Sequence, residues 1–183
     1  MVFSRLNELF AENFSQYGEL GASVSVWREG HEIVSLAGGS KDRQHEQAWT
    51  EETMVLFWSA TKGLSAACLL HACQEHGIEL TTPVAAVWPE FAQAGKERVT
   101  IAELLSHQAG LAALASPTPV MDHDAVAAAL AAATPAWPLG EGHGYHPRTF
   151  GFLVDETLRR ITGGRTLRDY WCREFAEPLG LEV

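Results

Sequence analysis

Positive charge is scarce in this chain. Thirteen Lys and Arg face 23 Asp and Glu, for a formal net charge of -10. A surface that acidic repels phosphate backbones and anionic headgroups, which argues against nucleic acid and membrane surfaces as partners. Long apolar runs are missing too, since nothing approaches the ~20 residues of a membrane-spanning helix. The opening residues carry Arg5, Glu8 and Glu12 where a secretory signal would be uninterrupted apolar, so no such signal is expected. Cysteine is sparse and odd in number: Cys68, Cys73 and Cys172. Cys68 and Cys73 fall five apart in an expected helix, too far apart to bridge. All three read as small buried hydrophobes. With neither a disulfide framework nor a signal, the expected location is reducing and cytoplasmic.

Several signatures of chemistry are also absent. Eight histidines invite a metal, but no H-E-x-x-H occurs. His71 and His76 fall off a common helical face, and His143 and His146 have no carboxylate cluster nearby in sequence. There is no G-x-S-x-G elbow, and Gly140-Glu-Gly-His-Gly follows no strand, so neither an α/β-hydrolase nucleophile nor a nucleotide loop is expected. Neither a metal nor an organic cofactor is implied.

What is present fits one ordinary domain: 183 residues, 46% of them hydrophobic. Ser4 reads as an N-cap, with Leu6, Leu9, Phe10 and Phe14 at helical spacing behind it. Residues 21–37 alternate as a β-hairpin around Glu29-Gly30. Met54-Val55-Leu56-Phe57-Trp58 reads as a short buried run leading into a long apolar helix from Ser59 to about His76. Thr100-Ile-Ala-Glu103 is a capping box. Asp122–Thr134 is an Ala-rich helix, residues 135–148 are loop, and Phe150 to Ile161 form an amphipathic helix ended by Gly163-Gly164. Thr166 caps a last helix. Residues 1–45 therefore read as a helix and two sheet strands, and 46–183 as mainly helical. The class is α+β, with a sheet that two strands leave incomplete, since an isolated hairpin is marginal and has two open edges.

Ser59 and Lys62 stand three apart at the head of the long helix, so their side chains share a face. A serine hydroxyl is a poor nucleophile until a base takes its proton. A lysine is such a base only when neutral, and apolar surroundings favour that form. From Ala60 to Cys73 Lys62 is the only charged residue, and it sits at the end of a helix whose dipole opposes a cation. The same helix end offers amide N–H groups to an oxyanion. Spacing alone permits a blander assignment, a capping Ser and a snorkelling Lys.

Longer stretches resolve the choice. "WSATKG", "GIELTTPVAAVWPEF", "VTIAELLSHQAGL", "HGYHPRTFGFLVDETLRRITG" and "PLGL" occur in that order. Together they make the sequence resemble the serine β-lactamase and penicillin-binding-protein superfamily, in its esterase-type, class C-like carboxylesterase branch. The resemblance implies a β-lactamase-like fold, with helices around an antiparallel sheet. It implies Ser59 as the acyl-accepting nucleophile, Lys62 as its base, and Tyr145 as the tyrosine that passes a proton between Ser59 and the leaving group. His107 matches a family position and is expected to order the nearby loop. Where many relatives carry an asparagine two residues after the tyrosine, this chain has Pro147, which points to small carboxylic esters ahead of lactams or amides. The family's third motif, a Gly-rich strand beside the site, has no counterpart here. The chain is therefore expected to be the N-terminal part of the family's domain, whether truncated, split or partial. A rival function follows: a non-catalytic module that binds a complementary C-terminal half or forms a homodimer.

Overall fold

A computed structural model describes residues 3–181. The chain divides into two compact units, Met1–Leu56 and Phe57–Val183.

The first unit holds helix α1 (Ser4–Gln16) and the antiparallel strands β1 (Gly21–Arg28) and β2 (His31–Gly39). Ser4 lies inside the helix; the N-cap position is Phe3, whose side chain caps nothing. Glu29 and Gly30 both have positive φ, 51° and 78°, as a tight two-residue hairpin turn requires. α1 packs on the end of β2, where a Cβ at Gly38 would lie 3.3 Å from Phe10, so the aromatic pair Phe10–Phe14 rests on bare backbone. Beyond β2 the chain folds back: Ser40 bridges Ala48, and the Trp49 indole N–H donates to Ser23 Oγ at 2.7 Å.

The second unit is helical, and its core is continuous. Helix α2 (Thr61–Glu75) buries Cys68, Leu69, Ala72 and Cys73. It packs against α5 (Thr149–Thr162), which buries Phe150, Leu153, Val154 and Leu158. Between them in sequence lie α3 (Ile101–Leu105) and α4 (His123–Ala132). α6 (Leu167–Trp171) follows α5 and runs into one π-helical stretch, Cys172–Ala176. The Thr100–Glu103 capping box forms as expected, with Thr100 N–H donating to Glu103 Oε2 at 2.8 Å and Glu103 N–H to Thr100 Oγ1 at 3.2 Å. Asp122 caps α4, and His123 at its start reaches across to α5, Nε2 to Glu156 Oε2 at 2.9 Å. Gly163 in the left-handed region ends α5.

Two expectations need correction, and one burial is unforeseen. The run Met54–Trp58 is exposed, with Met54 at 85%, Leu56 at 80% and Trp58 at 82%. An apolar run fixes the cost of exposure and not its place; among the described residues the sheet holds only β1 and β2, and this run joins neither. Cys172 is half-buried, whereas Cys68 and Cys73 are buried as expected. Burial pushes the Cys68 thiol up to about 11, which keeps it protonated and unreactive. Lys96 is fully buried although its residue type argues for the surface. Its Nζ donates to the carbonyls of Gln93 at 2.8 Å and Ala133 at 2.5 Å, tying the loop after the turn Pro89–Phe91 to the residue that follows α4. Among the described residues no helix is long and apolar enough to cross a membrane.

Candidate active site

Ser59 does not begin the α-helix. It occupies a single 3-10 turn, Trp58–Ala60, that leads directly into α2 at Thr61. Trp58 takes φ +48°, a conformation a bulky side chain adopts only under constraint, and the strain sits one residue before the serine.

Three side chains then converge. Lys62 Nζ donates to Ser59 Oγ at 3.2 Å. The Tyr145 hydroxyl also donates to Ser59 Oγ, in a short bond. Lys62 Nζ lies 4.8 Å from the centre of the Tyr145 ring. Lys62 beside the phenol holds the Tyr145 pKa below the usual tyrosine range, and the Ser59 hydroxyl adds to this. Every site residue expected from the sequence is therefore within one hydrogen-bonded group.

Pro147 contributes something the sequence did not offer. Its backbone carbonyl accepts from Lys62 Nζ at 2.8 Å and so aims the amine between Ser59 and the Tyr145 loop. A carbonyl belongs to every residue, so no residue-type signal could have marked it.

The loop that carries Tyr145 is held by two histidines. α3 ends in a left-handed cap: Gln108 N–H donates to Glu103 O at 2.8 Å and His107 N–H to Leu104 O at 3.3 Å, with His107 at φ +63° where glycine is usual. This turn projects the His107 ring against Tyr145, 5.0 Å between centres, and Phe150, 4.9 Å. His107 O accepts from Gly144 N–H at 3.1 Å, and His107 Nδ1 accepts from His146 N–H at 3.1 Å. His146 is buried. Its Nε2 accepts from Leu111 N–H at 2.8 Å while Nδ1 faces Gly144 O at 2.6 Å. That pattern requires a neutral ring protonated on Nδ1. Burial lowers the pKa of both histidines, and the Lys62 charge lowers His107 further. The expected ordering role of His107 is matched by these contacts. His146 carries no sequence signal for this role, because its Nε2 partner Leu111 is 35 residues away.

Trp137 supports the same loop from below. Its indole N–H donates to Gln108 O at 3.2 Å, and its ring lies where a Cβ on Gly144 would come within 2.8 Å. The site is open: Ser59 is exposed, Lys62 half-buried and Tyr145 50% exposed. The apolar enclosure expected around Lys62 is not supplied by the described residues.

Residues 6–182 match the Beta-lactamase family model. The chain is 34% identical over 180 residues to the esterase/beta-lactamase LipL of Mycobacterium tuberculosis, covering 97% of this chain and 41% of that protein. It superposes on a penicillin-binding protein homologue from Caulobacter crescentus with a TM-score of 0.91 at 41% identity, over 98% of this chain and 49% of the other. A family VIII carboxylesterase gives 0.88 at 37% identity, over 97% and 49%. The chain thus spans about half the length of these relatives, and the expected match to the N-terminal part of the fold agrees with that coverage.

Proposed function

The chain belongs to the β-lactamase family, with its α+β fold, and on that premise we propose that it carries the nucleophile half of a serine hydrolase acting on small carboxylic esters. The observation that carries the reading is the convergence of Lys62 Nζ and the Tyr145 hydroxyl on Ser59 Oγ. In the proposed cycle, neutral Lys62 takes the Ser59 proton as Oγ attacks the ester carbonyl. The carbonyl π electrons move to the oxygen, where backbone amides at the head of α2 supply part of the stabilisation. As the tetrahedral adduct collapses, the C–O bond to the alcohol breaks and Tyr145 delivers a proton to the departing oxygen, recovering one from Lys62. Water then attacks the acyl-enzyme, loses its proton along the same path, and releases the acid and Ser59. The Pro147 carbonyl holds the amine beside Ser59, and in its neutral form Lys62 turns a lone pair to the Ser59 hydroxyl in place of the N–H it now donates. Lys62 beside the phenol lowers the Tyr145 pKa, which eases the passage of a proton between the two.

Esters are favoured over lactams because Pro147 stands where a side-chain amide would hold an amide substrate, and because the named relatives include a carboxylesterase and an esterase/beta-lactamase. The test is hydrolysis of p-nitrophenyl butyrate by the protein and by Ser59→Ala. Turnover that survives in Ser59→Ala at the wild-type rate refutes the assignment.

A second reading has its own observation. The exposure of Trp58 next to an open Ser59 favours a module that seats a complementary polypeptide there and turns nothing over by itself. Sedimentation of the 183-residue chain with and without a C-terminal half, alongside ester turnover, separates the two. A monomer with full turnover and no added chain removes the second reading.

A further inference from the structure

The backbone on either side of Tyr145 is fastened by two imidazole rings in series. The Leu111 N–H donates to His146 Nε2 at 2.8 Å, and the His146 N–H donates to His107 Nδ1 at 3.1 Å. Each accepting nitrogen offers a lone pair, so each ring must be neutral. His146 keeps its proton on Nδ1, toward Gly144 O at 2.6 Å, and His107 keeps its own on Nε2. A proton added to either accepting nitrogen would set one N–H against another, and that bond would be lost. No negative charge is at hand to steady such a proton. The titratable groups that face the rings are Lys62 from α2, Tyr145 from the same loop, and the other ring of the pair, 5.3 Å between centres. Phe150 from α5 and Trp137 from the start of the loop offer neutral ring surface. Although the chain is strongly acidic, among the described residues no carboxylate bonds to either imidazole.

Chain order carries this to the reacting groups. Tyr145 stands between Gly144 and His146, and Pro147, whose carbonyl accepts from Lys62 Nζ at 2.8 Å, comes next. When the His146 N–H loses its acceptor, the segment that carries both the phenol and that carbonyl is freed. One tie does not titrate, the Gly144 N–H to His107 O at 3.1 Å, so the segment would pivot from Gly144 and stay attached. Burial lowers the pKa of both rings from the ordinary 6.5, and the Lys62 charge lowers His107 further. The closed loop therefore takes up protons reluctantly, whereas an open loop with its rings in water takes them up at their ordinary value. Falling pH favours whichever form binds more protons, here the open one.

Resting on the Ser59 hydrolase reading, we propose that His107 and His146 form an acid-sensitive latch: proton uptake by the pair releases the Tyr145–Pro147 segment from Ser59 and Lys62 and stops acylation while the helical core stays folded.

Nuclear magnetic resonance of the wild-type chain, titrated from about pH 8 to about pH 5 across the histidine range, reads the latch without any turnover. The amides of Leu111, Gly144 and His146 should move in one transition, below 6.5, together with the ring signals of His107 and His146. The amides of Leu69 in α2 and Leu153 in α5, both fully buried, should keep their positions through it. Rings that take up protons with the loop amides unmoved overturn the proposal, and so does a transition that the two core amides share. Labelling of Ser59 by an uncharged fluorophosphonate is measured over the same range. Each proton that must be absent costs about tenfold per pH unit on the acid side, so the wild-type rate should fall more steeply than one proton on Lys62 allows. His107→Asn with His146→Gln keeps an acceptor at both places, and Asn tolerates the left-handed backbone at 107. That double variant cannot take up the two protons and should show the one-proton slope; equal profiles for it and the wild type overturn the latch. No labelling at any pH with the coupled transition intact removes the hydrolase reading alone, and labelling without the transition removes the latch alone.

Discussion

His146→Phe isolates what holds the Tyr145 loop in place. Phenylalanine fits the outline of the buried imidazole and can accept no hydrogen bond from Leu111 N–H and donate none to Gly144 O. Both groups are left inside the protein without a partner, at about 1–3 kcal/mol each, or about 2–6 kcal/mol together. Against a typical stability of about 5–15 kcal/mol, that is a large fraction. The loss should appear in urea unfolding as a lower midpoint with an unchanged slope, since the surface exposed on unfolding is the same. Tyr145 lies one residue before His146, so the loop that carries the phenol to Ser59 loosens as well, and ester turnover should fall by more than the loss of folded protein explains. His146→Gln, which retains an acceptor and a donor, should recover part of both effects. A His146→Phe protein within about 0.5 kcal/mol of wild type, the range of an ordinary surface change, would show that these two bonds do not hold the loop.

Other expectations are as direct. Lys62→Met should lower ester turnover by about 10²–10⁴, the usual worth of a positioned base, and Lys62→Arg should not restore it, because arginine cannot become neutral. In Lys62→Met the Tyr145 phenol should also titrate at higher pH, read by ultraviolet difference spectra against Tyr145→Phe, since Lys62 is the main cause of its lowered pKa. Gly144→Ala brings a Cβ within 2.8 Å of the Trp137 ring and should cost about 1–3 kcal/mol together with turnover; urea unfolding and an ester assay measure the two. His107 and His146 bind protons less readily folded than unfolded, so the unfolded chain holds more protons at pH values between their folded values and 6.5. Stability should therefore fall as pH drops through 6.5, above the range where carboxylates titrate, and His146→Gln should flatten that part of a plot of melting temperature against pH.

Residue types and short-range order made much of this architecture legible. The Thr100–Glu103 box, the Thr166 cap and the Gly163 stop are local matters of a residue and its neighbouring backbone, and each appears where the sequence places it. Ser59 and Lys62 are three residues apart, so their meeting needed only a helical turn. Tyr145 is 86 residues from Ser59; only the resemblance to a family could join them before the structure did. What stayed hidden depends on backbone or on distant contacts. The Pro147 carbonyl, the left-handed His107 and Trp58, and the two-sided bonding of His146 have no signature in composition or periodicity. The run Met54–Trp58 misled for the opposite reason: its apolarity is local, but burial requires a neighbour, and the described residues supply none.

The central claim is that Ser59 Oγ accepts the acyl group. Quenching the protein with acid during turnover of p-nitrophenyl butyrate, followed by mass spectrometry of the intact chain and of its peptides, tests it most directly. The account predicts one butyryl group, on Ser59, that is missing in Ser59→Ala and scarce in Lys62→Met. A butyryl group on another residue, or release of p-nitrophenol with no adduct at any quench time in protein whose Lys62→Met form turns over as fast, would contradict it.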